Sequence, residues 1–136
     1  MIRTYIDSGI LIAAARGSGQ LAERALAVLG DTDRREFVCS DYVRLEVVPK
    51  PAYHGRTLEV EFYEAYFSSV TVWAQFDVDH LRSAFDEACR AGLSSMDAIH
   101  VVVASRCQCD EFVTSEKPTK PIHRTALVRT VSIDTD

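Results

Sequence analysis

IRTYIDSGILIAAAR, residues 2–16, changes its period halfway along, and that change decides the fold. Ile2 to Ile6 is a short run with strand character, whereas Ser8 to Ala15 reads as a helix, and Asp7 stands at the junction. The same strand-then-helix alternation continues outward. A helix is predicted from Ser18 to Leu29, a strand from Glu36 to Cys39, then Ser40-Asp41 as an N-cap and a helix from Tyr42 to Val48 that Pro49 helps to stop. A helix from Arg56 to Phe67 repeats Leu58, Phe62 and Tyr66 at helical spacing, and Val70 to Trp73 is a β-branched strand. Asp77 to Ala91 carries Val78, Leu81, Phe85 and Ala88 on one helical stripe, closed by Gly92, and a further helix begins at Ser94. Glu111 to Thr114 and Arg129 to Ile133 read as short strands, and the two proline-containing stretches, Pro49 to Pro51 and Pro118 to Pro121, read as turns. This order predicts an α/β fold, a three-layer α/β/α sandwich around a central, mainly parallel sheet.

With 136 residues, 47% of them hydrophobic, the chain has the size and composition of a single domain spanning 1–136. The net charge of −5 does not suit nucleic-acid binding by bulk charge, so any such contact must be local or bridged by metal. The apolar stretch after Asp7 is too short to span a bilayer and follows a poor signal-peptide pattern, so a soluble, cytoplasmic protein with no membrane contact is expected. Cys39, Cys89, Cys107 and Cys109 are too irregularly spaced for a disulfide scaffold and are expected to be reduced.

In parallel sheets, ligands bind beyond the carboxyl ends of the strands. Asp7 follows the first strand, Asp97 opens the helix in SSMDAIH, and Glu116 follows the strand EFVT; Glu46 lies one or two turns into the helix of SDYVRLEVVPK. Each has an ordinary reading: Asp7 and Asp97 as helix caps, the latter in an S-x-x-D capping box, and the two glutamates as solvated residues. Three of the four nevertheless fall on one expected edge of the sheet. Clustered carboxylates repel unless a cation neutralises them, and oxygen-only donors suit Mg²⁺ or Mn²⁺. Metal-assisted phosphodiester hydrolysis fits such a set.

At these residues the sequence resembles the PIN-domain family, in particular the small VapC-like ribonuclease toxins of toxin–antitoxin pairs. The resemblance rests on Y-I-D-S at 5–8, R-L-E at 44–46, S-x-x-D-A at 94–98 and V-T-S-E at 113–116. It implies a PIN-like sandwich and a Mg²⁺- or Mn²⁺-dependent endoribonuclease that cuts single-stranded RNA. Asp7, Glu46 and Asp97 match the family's three core acids, and Glu116 matches a fourth that is more often Asp. By this resemblance Asp7 and Asp97 would hold the ion, Glu46 would hold it or orient the attacking water, and Glu116 would support a second ion or a water. Ser8, Thr114 and Ser115 match small hydroxyl residues that support acids or phosphate. The family's habits also imply a homodimer and a cognate antitoxin as partner.

Lys117, Lys120 and Arg124 lie in the loop after the fourth acid and are candidate phosphate contacts. His100, near Asp97 on its helix, is expected to be a packed or hydrogen-bonded residue rather than a general base. Asp110 is expected at a surface turn. The aromatic surplus of LEVEFYEAYF, residues 58–67, suggests a groove or dimer contact. Two rivals remain: a degenerate PIN domain that binds RNA or protein without cutting, and a phosphoacceptor role for Asp7, which the D-S-G-I-L context disfavours.

Overall fold

Central strands of a parallel sheet are covered on both faces and therefore read as unbroken apolar runs. The runs Thr4 to Ile6, Phe37 to Cys39 and Glu111 to Thr114 are buried throughout. The computed structural model describes residues 1–135. Its strands are β1 (Ile2–Ile6), β2 (Arg35–Cys39), β3 (Val72–Trp73), β4 (Glu111–Thr114) and β5 (Thr130–Ser132). They form one sheet in the order β3-β2-β1-β4-β5, with every neighbouring pair parallel. Tyr5 on β1 and Phe112 on β4 are in register, and their rings stack at a centroid distance of 5.5 Å.

The helices are α1 (Ser8–Arg16), α2 (Gly19–Leu29), α3 (Asp41–Val47), α4 (Pro49–Tyr53), α5 (Thr57–Ser69), α6 (Val78–Ala91) and α7 (Ser95–Arg106). From β1 the chain steps outward through β2 to β3 by way of α1 to α5, then returns through α6 and α7 to β4 on the other side of β1. Because parallel crossovers are right-handed, a reversal of direction puts the two helix sets on opposite faces. Accordingly α1 packs on α2, α3 and α5, while α6 packs on α7. The result is the expected PIN-like α/β/α sandwich.

Several local expectations are corrected. Pro49 does not merely end a helix: it occupies the first turn of α4, where its missing N–H costs nothing. The loop 117–124 contains a short 3₁₀ helix, Pro121–Arg124. On α5 the core takes Tyr63, Tyr66 and Phe67, and Leu58 is 82% exposed, so the aromatic surplus goes inward and leaves no exposed aromatic groove on this helix. On α6 the apolar stripe faces outward, with Val78, Leu81 and Phe85 at 66%, 53% and 71% exposure, while Ala84, Glu87 and Ala91 are buried. Small alanines let α6 approach α7 closely. Glu87 is tolerated inside because Arg90 donates to both its oxygens at 2.7 Å and Thr125 donates from the far side. Asp110 is exposed in a turn and accepts the backbone N–H of Arg3 at 2.8 Å. The four cysteines are free thiols, and no helix among the described residues is long and apolar enough to cross a membrane.

Candidate active site

The strand order reverses between β1 and β4, which is where an open α/β sheet offers a crevice at its carboxyl edge. Asp7 sits at the end of β1, its N–H bonded to Val113 O at 2.9 Å, so the ladder between β1 and β4 extends to the acid itself. It occupies the N-cap position of α1, but its carboxylate makes no capping hydrogen bond. Instead Oδ2 accepts from Thr114 Oγ1 at 2.8 Å and Oδ1 from Ser8 Oγ at 3.4 Å. Asp7 is 7% exposed, and its side chain is therefore committed to the crevice rather than to the helix end.

Thr114, wholly buried, also accepts the backbone N–H of Glu116 at 3.1 Å. The Glu116 carbonyl accepts from Ser132 Oγ at 2.6 Å and from His123 Nε2 at 3.1 Å, which fixes the backbone of the turn while the side chain stays exposed. Ser115 reaches the first turn of α1 because position 9 is glycine: a Cβ there would stand 2.2 Å from Ser115 Oγ.

Asp97 lies in the first turn of α7. Ser94 Oγ accepts its N–H at 3.3 Å, but the reciprocal bond of a capping box, from the Ser94 N–H to the Asp97 carboxylate, is not formed. Burial raises the carboxyl above the usual Asp range, and the negative charge of Asp7 is the next cause. Ser94 and His100 pull it down, and Glu116 adds to the rise. Asp7, Asp97 and Glu116 thus share one electrostatic neighbourhood.

Glu46, near the end of α3, hydrogen-bonds through Oε1 to Nε2 of His100. His100 is 1% exposed and its Nδ1 lies 2.8 Å from the Tyr5 hydroxyl, which in turn lies 2.8 Å from Ser40 Oγ. His100 is thus the packed, hydrogen-bonded residue expected. Ser40 makes no capping bond to α3. This four-residue chain was invisible in the sequence; the one trace of it was the i, i+3 spacing of Asp97 and His100.

Lys117 and Lys120 are exposed on the turn after Glu116. Arg124, also exposed, directs Nη1 to Ala91 O at 3.4 Å, which ties the 3₁₀ helix to α6. Among the described residues no three His, Cys, Asp or Glu side chains form a ready metal cage. Magnesium does not require one, since it commonly takes one or two carboxylates and keeps several waters. The all-oxygen pair Asp7 and Asp97, which repel one another, fits such an ion.

The fold and this edge define a PIN-like α/β/α architecture. No family model matches the chain, and no curated protein matches it. Among solved structures it is similar to VapBC2 from Rickettsia felis bound to a DNA fragment from the promoter, at TM-score 0.73 and 11% identity over 96% of this chain and 98% of that one. It is also similar to VapBC-1 from nontypeable Haemophilus influenzae, at TM-score 0.72 and 13% identity over 98% and 100%. DNA-bound VapBC from Salmonella typhimurium superposes at TM-score 0.68 and 16% identity over 98% and 99%. The chain therefore has the fold of chains in VapBC complexes along nearly its whole length.

Proposed function

We propose that this protein is a divalent-metal-dependent endoribonuclease acting on single-stranded RNA, and the toxin of a cytoplasmic toxin–antitoxin pair. The observation that carries the proposal is that Asp7 and Asp97, the two acids with ready capping explanations, leave their carboxylates uncommitted to helix capping and repel one another at the switch point of the sheet. Both would hold Mg²⁺ or Mn²⁺. Such an ion, when bound, supplies a Lewis acid for the phosphodiester and lowers the pKa of an attacking water.

The remaining roles belong to side chains of this chain. Glu46 orients the attacking water or takes its proton, with His100 fixing one of its oxygens. Glu116 assists from the turn after β4 through its exposed carboxylate. Thr114, Ser115 and Ser8 hold the acids in place, and Lys117, Lys120 and Arg124 contact phosphates that set the register of the RNA.

The exposed stripe of α6 supports a protein partner. Leu81 and Phe85, with Ala84, Ala88, Ser95, Ala98 and Ile99, line an apolar groove of about 200 Å³ that runs to the first turn of α7. The VapBC neighbours favour an antitoxin as occupant, with homodimerisation as the second use of the same face.

The test is cleavage of a mixed single-stranded RNA pool by purified, antitoxin-free protein with Mg²⁺, with Mn²⁺ and with EDTA, beside Asp97→Asn. Ion-dependent cutting that disappears in the variant supports the proposal. A folded wild type inert with both ions overturns it in favour of a binding module without nuclease activity.

A further inference from the structure

Resting on that reading, we infer that His100 is the positioning residue of Glu46, and that Tyr5 and Ser40 hold its ring in a single tautomer. With the ring neutral and Glu46 ionised, the hydrogen-bond inventory admits one consistent arrangement. An ionised Glu46 carboxylate has acceptors only, so the proton of that contact lies on Nε2 of His100. In the neutral ring Nδ1 is then an acceptor, and the donor facing it is the Tyr5 hydroxyl at 2.8 Å. Having given its proton to Nδ1, the Tyr5 oxygen accepts from Ser40 Oγ.

Rigidity gives this chain its use. Tyr5 lies flat against Phe112, with an interplanar angle of 10°, and the His100 ring sits 5.6 Å from the Tyr5 ring; both side chains are buried. Glu46, by contrast, lies on an exposed stretch of α3, where an unrestrained glutamate would sample several rotamers. Fixing Oε1 leaves Oε2 as the oxygen free for water or cation. Asp97 and His100 are both on α7, so one helix sets the first acid directly and the second through the imidazole. Partners of this kind behind an active carboxylate orient it and raise its effectiveness.

Two measurements test the inference. Nitrogen-15 NMR of the His100 side chain should show a protonated Nε2 and an unprotonated Nδ1, with a slowly exchanging Nε2 proton that shifts in Glu46→Gln. A protonated Nδ1 with bare Nε2, or an Nε2 proton indifferent to Glu46→Gln, overturns it. In RNA cleavage, His100→Leu should lower kcat about 10- to 100-fold with little change in KM. His100→Gln, whose amide N–H reaches toward the same carboxylate, should recover most of that loss. In a Glu46→Gln background His100→Leu should add nothing, whereas a purely structural role gives the same loss in both backgrounds and overturns the inference while the ribonuclease reading stands. If His100→Leu does not fold, Tyr5→Phe keeps the ring stack and removes only the hydroxyl; it should displace the Nδ1 resonance and lower kcat. If wild type cuts no RNA, the ribonuclease reading falls, and the response of the Nε2 proton to Glu46→Gln decides the inference by itself.

Discussion

Thr114 donates its hydroxyl to Asp7 Oδ2 at 2.8 Å across 107 residues of sequence, and Thr114 Oγ1 itself accepts the backbone N–H of Glu116. One buried hydroxyl thereby joins the end of β1 to the turn after β4. Thr114→Val keeps the shape and deletes both bonds, and we predict a loss of about 1–3 kcal/mol by urea denaturation, the usual cost of stranding buried polar groups. Thr114→Ser should lose far less. A valine variant as stable as wild type would show that the hydroxyl is not what couples the two strands.

The raised carboxyl of Asp97 sets a pH dependence. When burial and a neighbouring charge raise a carboxyl in the folded state, the folded protein binds the proton more tightly than the unfolded chain. The resulting stability is present below the unfolded value, about 3.9, and is lost as pH rises through the folded value. At pH 7 without metal, Asp97→Asn should therefore have a higher Tm than wild type, and the difference should close at pH 4 and below. If the proposed Asp7–Asp97 pair holds the ion, added Mg²⁺ should raise the Tm of wild type and not of the variant. An Asn variant less stable than wild type at pH 7 in EDTA would contradict this account.

On α6 the ranking of substitutions should run opposite to the sequence pattern. Phe85 is on the apolar stripe but exposed, so Phe85→Ser should change stability by no more than about 0.5 kcal/mol while weakening binding of the proposed antitoxin partner. Glu87 is buried against Arg90 and Thr125, and its carboxyl is held below the usual range first of all by the Arg90 hydrogen bonds. Glu87→Gln should cost about 1–3 kcal/mol at pH 7. Because the folded carboxyl is depressed, that contribution exists above the unfolded pKa and is lost as pH falls through the folded one, so the gap to wild type should narrow in acid. Thermal scans of both variants at two pH values, with light scattering for Phe85→Ser, check the order.

Asp7 was legible in the sequence because a strand end followed by an acid and a helix fixes a position on the sheet edge whatever the remaining packing does. A mainly parallel sheet followed from the same alternation, and every neighbouring pair of strands is in fact parallel. The direction of α6 was not legible: period alone marks a stripe as apolar but does not say whether a partner, the core or solvent meets it, and here Ala84 and Ala91 fit the narrow gap against α7 that Phe85 could not. Pro49 was read as a stop because proline ends helices more visibly than it starts them, although in α4 it does the latter. The partner of Glu46 lay beyond reach for a different reason. A hydrogen bond between residues 54 apart depends on where the fold places α3 relative to α7, and no local pattern encodes that distance.

The insertion of β4 between β1 and β5 bears on the order in which the chain is made. Asp7 precedes its partner hydroxyl by 107 residues, the turn of Glu116 follows that hydroxyl directly, and Asp97 is seated only when α7 docks beside β4. A nascent chain short of β4 carries its first acid with nothing to complete it. The crevice is thus completed only once β4 has been made and has paired with β1, however much of the chain has folded before it.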